Sequence, residues 1–318
     1  STRTQGLTGG FEDSKKSHKH SGKLKQVEYE LVAEDHKAGI QFSVSRVLHK
    51  LGLSRSGYYD YLKRKPSHQE KRRHDVKKAI LQIYEDSHEN YGAPKIAKIL
   101  NSGGISITER TVGVYMRQMG IRAQWVKPHT QTTIRSDFSG NLKNLLDRNF
   151  SPAHPNCVWC TDITYIHTKL DGFVYLACIM DLYSRRIISW KLTKTLDTGP
   201  ILKSIEEARK RRPSQEPIMI HTDRGIHYTC DLYRKLTRGM IRSYSAKGVP
   251  YDNACIESFH SLIKREWLSR FDIQNYRHAY RLVSQYIDDW YNPERIHSHC
   301  GYMSPAEYEV MFQRTSTD

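Results

Sequence analysis

The sequence predicts an α/β mixed sheet, covered on both faces, preceded by an all-α region of helix-turn-helix units. Three observations carry that reading. Short segments with apolar residues at three- and four-residue spacing occupy the chain up to about residue 126. Three runs dense in β-branched and aromatic residues begin at Val158, separated by Asp171-Gly172 and Tyr183-Ser184. Helix-like and strand-like patterns then alternate to about residue 291, as a sheet with covering helices requires.

Taken in order, residues 1–41 are expected to be a flexible basic arm, because their first 25 or so are rich in Ser, Thr, Gly, Lys and His with almost no apolar periodicity. The missing initiator Met raises the expectation of a processed, fused or recoded product. The helix-turn-helix region is placed at 42–126. Its first unit has Val44, Val47, Leu48 and Leu51 on one helix, Gly52 as the break, and Ser54 capping a second helix through Tyr58, Tyr59 and Leu62. A helix over about 75–87 follows, with Val76, Ile80, Ile83 and Tyr84 as its apolar set. The second unit joins helices at 94–100 and 109–119 through Gly103-Gly104, with Thr108 as the cap. A three-helix bundle contains the same kind of turn, so either unit alone leaves both readings open.

Pro128, Gly140, Pro152 and Pro155 mark a linker at 127–152. The catalytic domain is placed at 153–291, with strands over 158–167, 173–182 and 187–192 joined by tight hairpins. A helix at 199–211, a strand at 218–221, a helix at 228–239, a strand at 241–244 and helices at 253–269 and 274–291 complete it, leaving 292–318 as a tail.

Composition bounds the function. The 318 residues hold 50 Lys plus Arg against 34 Asp plus Glu, a net of +16. Residues 1–130 hold 24 of those bases and 13 of the acids, a local net of +11. Such an excess suits a phosphate backbone, from which bases displace counterions. The longest uninterrupted apolar run, Phe173 to Met180, is far below the ~20 residues that cross a bilayer, and no basic-then-apolar leader opens the chain. Six Cys, none before Cys157, do not form a disulfide framework, so a reducing cytosol or nucleoid is the expected setting.

Three carboxylates stand in unusual places. Asp162 falls in the middle of the first strand, Cys-Val-Trp-Cys-Thr-Asp-Ile-Thr-Tyr-Ile, where an unpaired charge is expensive. Asp223 follows the strand Pro217-Ile-Met-Ile-His-Thr, at the carboxyl end where open α/β sheets place their ligands. Glu257 lies in the first turn of the helix that starts near Asn253, and Lys264, two turns later, returns to its face. Three such acids could hold two Mg²⁺ ions about 4 Å apart, activating an attacking hydroxyl and stabilising a leaving oxygen. Among 34 acidic residues, spacing alone does not single out this triple. Lys264 reads equally as a solvated lysine.

Thr-Asp-Ile-Thr-Tyr at 161, His-Thr-Asp-Arg-Gly at 221, Asp-Asn-Ala-Cys-Ile-Glu-Ser-Phe at 252 and Lys264 together closely resemble the DDE transposases of bacterial insertion sequences. The likeness is to the second-frame, OrfB-type product of the IS-three family, whose catalytic domain is similar to retroviral integrase with an RNase H-like fold. Tyr-Gly-Ala-Pro-Lys-Ile at 91, Thr111-Val112, Asp181-Leu-Tyr-Ser-Arg, Tyr291-Asn292, Arg295, His297 and Pro305 extend the resemblance over roughly residues 42–310. It implies that Asp162, Asp223 and Glu257 are catalytic metal ligands for two Mg²⁺, with Mn²⁺ able to substitute, and that Lys264 touches the transposon end. It further implies binding of inverted-repeat ends and target DNA, metal-dependent strand cleavage and strand transfer, a homo-oligomer, a circular intermediate, and an upstream reading-frame partner. Lys247, in the loop Ser245 to Tyr251, and Arg224, Arg110, Arg117 and Arg55 are the other DNA-contact candidates. One departure is visible: 33 residues separate Asp223 from Glu257, slightly fewer than the family pattern.

Other constellations are weaker. Cys157 and Cys160 form a lone Cys-x-x-Cys inside a strand, and His297, His299 and Cys300 lack further ligands nearby in sequence. The chain has neither a GxGxxG nor a P-loop pattern. Two rivals to a transposase stay open on sequence alone. One is an RNase H-like nuclease that cuts without joining; the other is a helix-turn-helix repressor with an inactive catalytic domain.

Overall fold

Apolar side chains at helical spacing need a partner surface, and the amino-terminal part supplies its own. The computed structural model describes residues 25–39, 43–124, 142–247 and 249–315. The chain divides into two compact units, 1–75 and 76–318. In the first, helix α1 (25–37) packs with α2 (Val44–Lys50) and α3 (Arg55–Lys63) around Val32, Ala33, Leu48, Leu53 and Tyr58. Gly52 turns the chain at φ 64°, and the Ser54 side chain caps α3 by accepting from the Gly57 amide at 3.3 Å. A Cβ on Gly57 would lie 2.5 Å from the Tyr29 hydroxyl, so glycine lets α1 close on α3. The expected flexible arm therefore ends in an ordered helix. Residues 1–24 and 40–42 lie outside the described residues.

Helix α4 (His68–Asp86) leads into the second unit, where α5 (Ala93–Ser102) and α6 (Glu109–Gln118) form the second helix-turn-helix. Gly104 turns at φ 85°, and the Thr108 side chain accepts from the Thr111 amide, as expected. This unit is not separate from the catalytic part. Ile96, Leu100, Val112 and Met116 belong to the same buried cluster as Leu176, Ile256 and Trp290, so the division falls at 75/76 rather than after 126.

The sheet holds β1 (Val158–Thr168), β2 (Gly172–Asp181), β3 (Ile187–Thr193), β4 (Met219–Thr222) and β5 (Ile241–Tyr244) in the order β3-β2-β1-β4-β5. β1, β2 and β3 pair antiparallel, whereas β4 lies parallel to β1 and β5 parallel to β4. This is the mixed sheet that the sequence predicts. Strand alternation separates two cores. Cys160, Leu176, Cys178 and Met180 face one, with α10 (Ala254–Glu266) and α11 (Tyr276–Ser284). Trp159, Ala177, Ile179 and Ile220 face the other, with α7 (Thr198–Arg211) and the short helices α8 (Ile226–Thr229) and α9 (Asp231–Leu236).

Three segments depart from expectation. The helix expected over 228–239 is interrupted at Cys230, which is extended (φ −74°, ψ 163°) and whose sulfur accepts from the Tyr233 amide. The helix expected over 274–291 continues beyond Ser284 as a π-helix, Gln285–Tyr291, whose wider turn buries both adjacent pairs Tyr286-Ile287 and Trp290-Tyr291. The expected tail carries α12 (Pro305–Thr315), anchored by Glu309, which accepts from Ser184 at 2.6 Å, Arg186 at 2.9 Å and Arg212 at 2.6 Å. Of the expected linker, residues 127–141 lie outside the described residues. Its later part runs beside β5, where Tyr244 donates to the Lys143 carbonyl and the Ser243 hydroxyl accepts from the Leu145 and Leu146 amides. Among the described residues no helix is long and apolar enough to cross a membrane.

A buried ion pair ties the end of α10 to the chain beyond the π-helix. Arg295 donates to both Glu266 oxygens at 2.8 and 2.7 Å, and Tyr286 donates to the same carboxylate at 2.9 Å. Burial pushes the Glu266 carboxyl up, but the Arg295 and Tyr286 bonds outweigh it and hold it below its usual value. A depressed carboxyl adds stability above its unfolded pKa and loses it as pH falls through the folded one. Arg295→Met is expected to lower the unfolding free energy at pH 7 by about 3–5 kcal/mol in urea titrations, because it strands a buried charge. That deficit should shrink toward pH 5, as the unpaired Glu266 takes up a proton.

Candidate active site

β1 and β4 run parallel with Cys160 opposite His221. Two residues further along each chain stand Asp162, still within β1, and Asp223, just past the end of β4. Alternation puts both on the side of Cys160 and Met219, toward α10, and neighbouring strands are about 4.8 Å apart. Glu257 approaches from the first turn of α10.

Local structure positions each acid. The Asp223 carboxylate accepts from the Gly225 amide at 2.9 Å, and a Cβ on Gly225 would crowd that same oxygen at 2.9 Å. The start of α10 is set by the turn Pro250–Asn253. Asn253 donates from its side chain to the Thr161 carbonyl at 3.3 Å, joining the helix entrance to β1 beside Asp162. Buried Asp252 accepts from the Ala246 amide at 2.8 Å, Arg148 at 2.9 Å and the Asn144 side chain at 3.0 Å. Burial raises the Asp252 pKa, but the Ala246 and Arg148 bonds prevail and keep it below its ordinary value.

The three acids act on one another. Burial, and then the Asp162 charge, push Asp223 up to about 6. Burial, followed by Asp162 and Asp223, pushes Glu257 up to about 7. Among the described residues no Lys or Arg forms an ion pair with any of them; His260 on α10 comes to ion-pair distance, its Nδ1 3.4 Å from Asp162. A half-buried cluster of hard oxygens that repel one another favours a bound cation. Among the described residues no three His, Cys, Asp or Glu enclose an ion by themselves. Hard oxygens of this kind can take a divalent cation only if its remaining ligands come from water or substrate phosphate.

Lys264 lies on the same helix, with its ammonium 4.4 Å from the centroid of the half-exposed Tyr165 ring. Burial lowers its pKa, and Asp162 opposes that shift. Four expected site residues thus come together. Lys247 is exposed on the loop after β5, Arg110 and Arg117 are exposed on α6, and Arg55 is exposed on α3 in the first unit. Arg224 donates to the Ser245 and Leu142 carbonyls at 2.8 and 3.0 Å, so its guanidinium is engaged with backbone. His297, His299 and Cys300 are absorbed into packing: His297 contacts Arg295, while His299 and Cys300 meet the Tyr183 and Ser184 carbonyls. The Cys-x-x-Cys pair is split between Cys157, which contacts His154, and buried Cys160.

Sequence reasoning did not single out His260, Tyr228, Asp252 or Asn253. Tyr228 is fully buried, its hydroxyl 3.2 Å from that of Thr161, and burial followed by the Asp162 charge holds its proton firmly. Asp252 and Asn253 are in the segment that carries Glu257, but their partners are up to 108 residues away and leave no local signal. His260 follows Glu257 by one helical turn, the one cue available.

Comparison with known proteins matches residues 152–250 and 238–305 to two integrase core domain families and residues 70–129 to an HTH-like domain family. The transposase for insertion sequence element IS904 of Lactococcus lactis is 33% identical over 248 residues, 77% of this chain and 98% of that protein. Transposase InsF for insertion sequence IS3A of Escherichia coli is 32% identical over 280 residues, 87% and 96% of the two chains. Among solved structures, the HTLV-2 integrase catalytic core domain in complex with magnesium aligns at 13% identity and a TM-score of 0.39, over 49% of this chain and 98% of that one.

Asp252→Ala removes the acceptor shared by Ala246, Arg148 and Asn144. It should lower stability by about 1–3 kcal/mol in thermal or urea unfolding, as loss of a buried acceptor does. Limited proteolysis should show faster cleavage between 245 and 253 than in the parent.

Proposed function

The chain belongs to the IS3 family of insertion-sequence transposases, enzymes that bind DNA and cut and join it, and on that premise we propose that Asp162, Asp223 and Glu257 are its catalytic metal ligands. The observation that carries this reading is the meeting of three acids, from β1, the end of β4 and the first turn of α10, with no Lys or Arg in ion-pair contact with them among the described residues. Two divalent ions held there, magnesium with manganese as a substitute, would activate the attacking oxygen and stabilise the leaving one.

The chain's own residues do the positioning. Two carboxylates ride on the sheet, whose buried faces resist displacement, and the third rides on a helix whose entrance is tied to β1 by Asn253. Lys264, restrained over Tyr165, offers its charge to a phosphate of the transposon end beside the acids. Water serves as nucleophile for cleavage and a DNA 3′-hydroxyl for transfer, so no protein–DNA covalent bond forms. Arg110 and Arg117 on α6, Arg55 on α3 and Lys247 after β5 contact DNA, either the inverted-repeat ends or the target, while Arg224 holds the Ser245 loop in place. The protein works on the bacterial nucleoid in the cytoplasm as a homo-oligomer that holds two ends together, with an upstream reading-frame product as partner.

Incubating the protein with a labelled transposon end and Mg²⁺ or Mn²⁺ should yield cut and joined products. Glu257→Gln should abolish both while retaining end binding in a gel-shift assay. Cutting without joining in the parent would instead mark a nuclease, and binding without chemistry in both proteins would mark a DNA-binding repressor.

A further inference from the structure

Two residues before Asp223 and on the same side of β4, His221 is fully buried and stands opposite Ser243 of β5. Its Nδ1 lies 2.8 Å from the Ser243 hydroxyl and its Nε2 3.2 Å from the Ser245 hydroxyl. A hydroxyl has two lone pairs and one proton. Both lone pairs of Ser243 are taken, because its oxygen accepts from the Leu145 amide at 2.9 Å and the Leu146 amide at 3.0 Å. Its proton must therefore go to Nδ1, which leaves the ring proton on Nε2. That proton is donated to Ser245, whose own hydroxyl donates to the Thr222 carbonyl at 3.4 Å. Every bond in this chain has one direction, and a ring proton on Nδ1 would set two donors against each other.

The two serines hold two segments. Ser243 pins residues 145 and 146, which lie between Asn144 and Arg148, and Ser245 opens the loop at Ala246. Asn144, Arg148 and Ala246 are the three donors to Asp252, at 3.0, 2.9 and 2.8 Å. Asp252 in turn stands in the turn that enters α10, ahead of Glu257. We propose that His221 is a positioning residue for the carboxylate cluster, acting through Ser243 and Ser245 on Asp252 and so on the place of Glu257 relative to Asp223. One side chain of β4 thereby registers an acid of the sheet with the acid of the helix. Phe at this position would fill the space and make neither bond. Asn would place an amide oxygen near the position of Nδ1, keeping the bond from Ser243 and losing the one to Ser245.

That role rests on Asp162, Asp223 and Glu257 being metal ligands, and the full-length protein tests the two apart. Mn²⁺ binding without DNA is measured by titration calorimetry for the parent, Glu257→Gln, His221→Phe and His221→Asn, and amide hydrogen exchange is followed in the same proteins. His221→Phe is expected to bind Mn²⁺ about 10-fold more weakly, as loss of a group that supports metal ligands does. The Leu145, Leu146 and Ala246 amides should exchange faster in that variant. The Ser245 amide, which donates to the Thr222 carbonyl at 2.9 Å, should keep its protection. His221→Asn should recover most of the affinity, together with the protection at 145 and 146. Unchanged Mn²⁺ affinity in His221→Phe, or weaker affinity with all three amides still protected, overturns the proposal; a loss in Glu257→Gln then leaves the metal-ligand reading standing. Equal affinity in the parent and Glu257→Gln removes that reading and the positioning role with it. If His221→Phe does not fold, Ser243→Ala breaks the same link and is read by the same outcomes.

Discussion

Three carboxylates on one side of a sheet, Asp162 raising the free energy of the charged forms of Asp223 and Glu257, are held together by a scaffold in which no Lys or Arg among the described residues pairs with them. Asp162 is placed by its strand, Asp223 by the parallel partner of that strand, and Glu257 by a helix laid over the same face. Mutual repulsion would spread such a cluster on a flexible chain. It persists because the sheet is buried on both sides, by α10 and α11 on one and α7 on the other, so that moving one acid would disturb a packed core. The double-sided core allows these oxygens to remain close.

The surrounding polar network continues that logic. Asp252 gathers three donors from two separate segments and fixes the entrance to α10, and Asn253 joins that entrance to β1. Glu266 and Arg295 then tie the far end of the same helix to the segment after the π-helix. The helix that delivers Glu257 is thus restrained at both ends by charged or amide side chains. The second helix-turn-helix is drawn into the same assembly: Lys95 donates to the Ile296 carbonyl at 2.9 Å, and Tyr91 accepts from the Ile296 amide at 2.9 Å. The second helix-turn-helix and the carboxylate site therefore share one core, in contrast to the independent domains that a linker at 127–152 suggested.

Strands were legible because β-branched and aromatic runs with sharp turn residues carry their own signal. The boundaries expected for the first three strands and for 241–244 fall within a residue or two of those observed. Helix interruptions were less legible. Nothing about Cys230 as a residue type announces an extended conformation, and the π-turn after Ser284 follows from four large side chains competing for one core. The tail and the linker were misjudged for a related reason. Their apolar content is low, and they are held instead by hydrogen bonds to distant segments, as Glu309 holds α12 and Ser243 holds residues 145 and 146. The arm was misjudged at its end, where Val32 and Ala33 bury against residues some 15 to 25 positions later.

By itself the sequence determined the family and the basic bias of the first 130 residues, and it pointed to three acids and a lysine that the fold then brings together, because each depends on residue identity and short-range spacing. Tertiary structure decided which other groups serve those acids. His260, Tyr228, Asp252 and Asn253 meet partners that lie more than 60 residues away in sequence, at Asp162, Thr161, Asn144 and Thr161 again. It also decided the fate of equivalent-looking bases. Arg224 is engaged by backbone carbonyls, whereas Lys235 and Arg238 stay exposed beside Arg234 and Arg242. Charge is a property of the residue, but the work it does depends on the charges and solvent beside it, and only folding sets those neighbours.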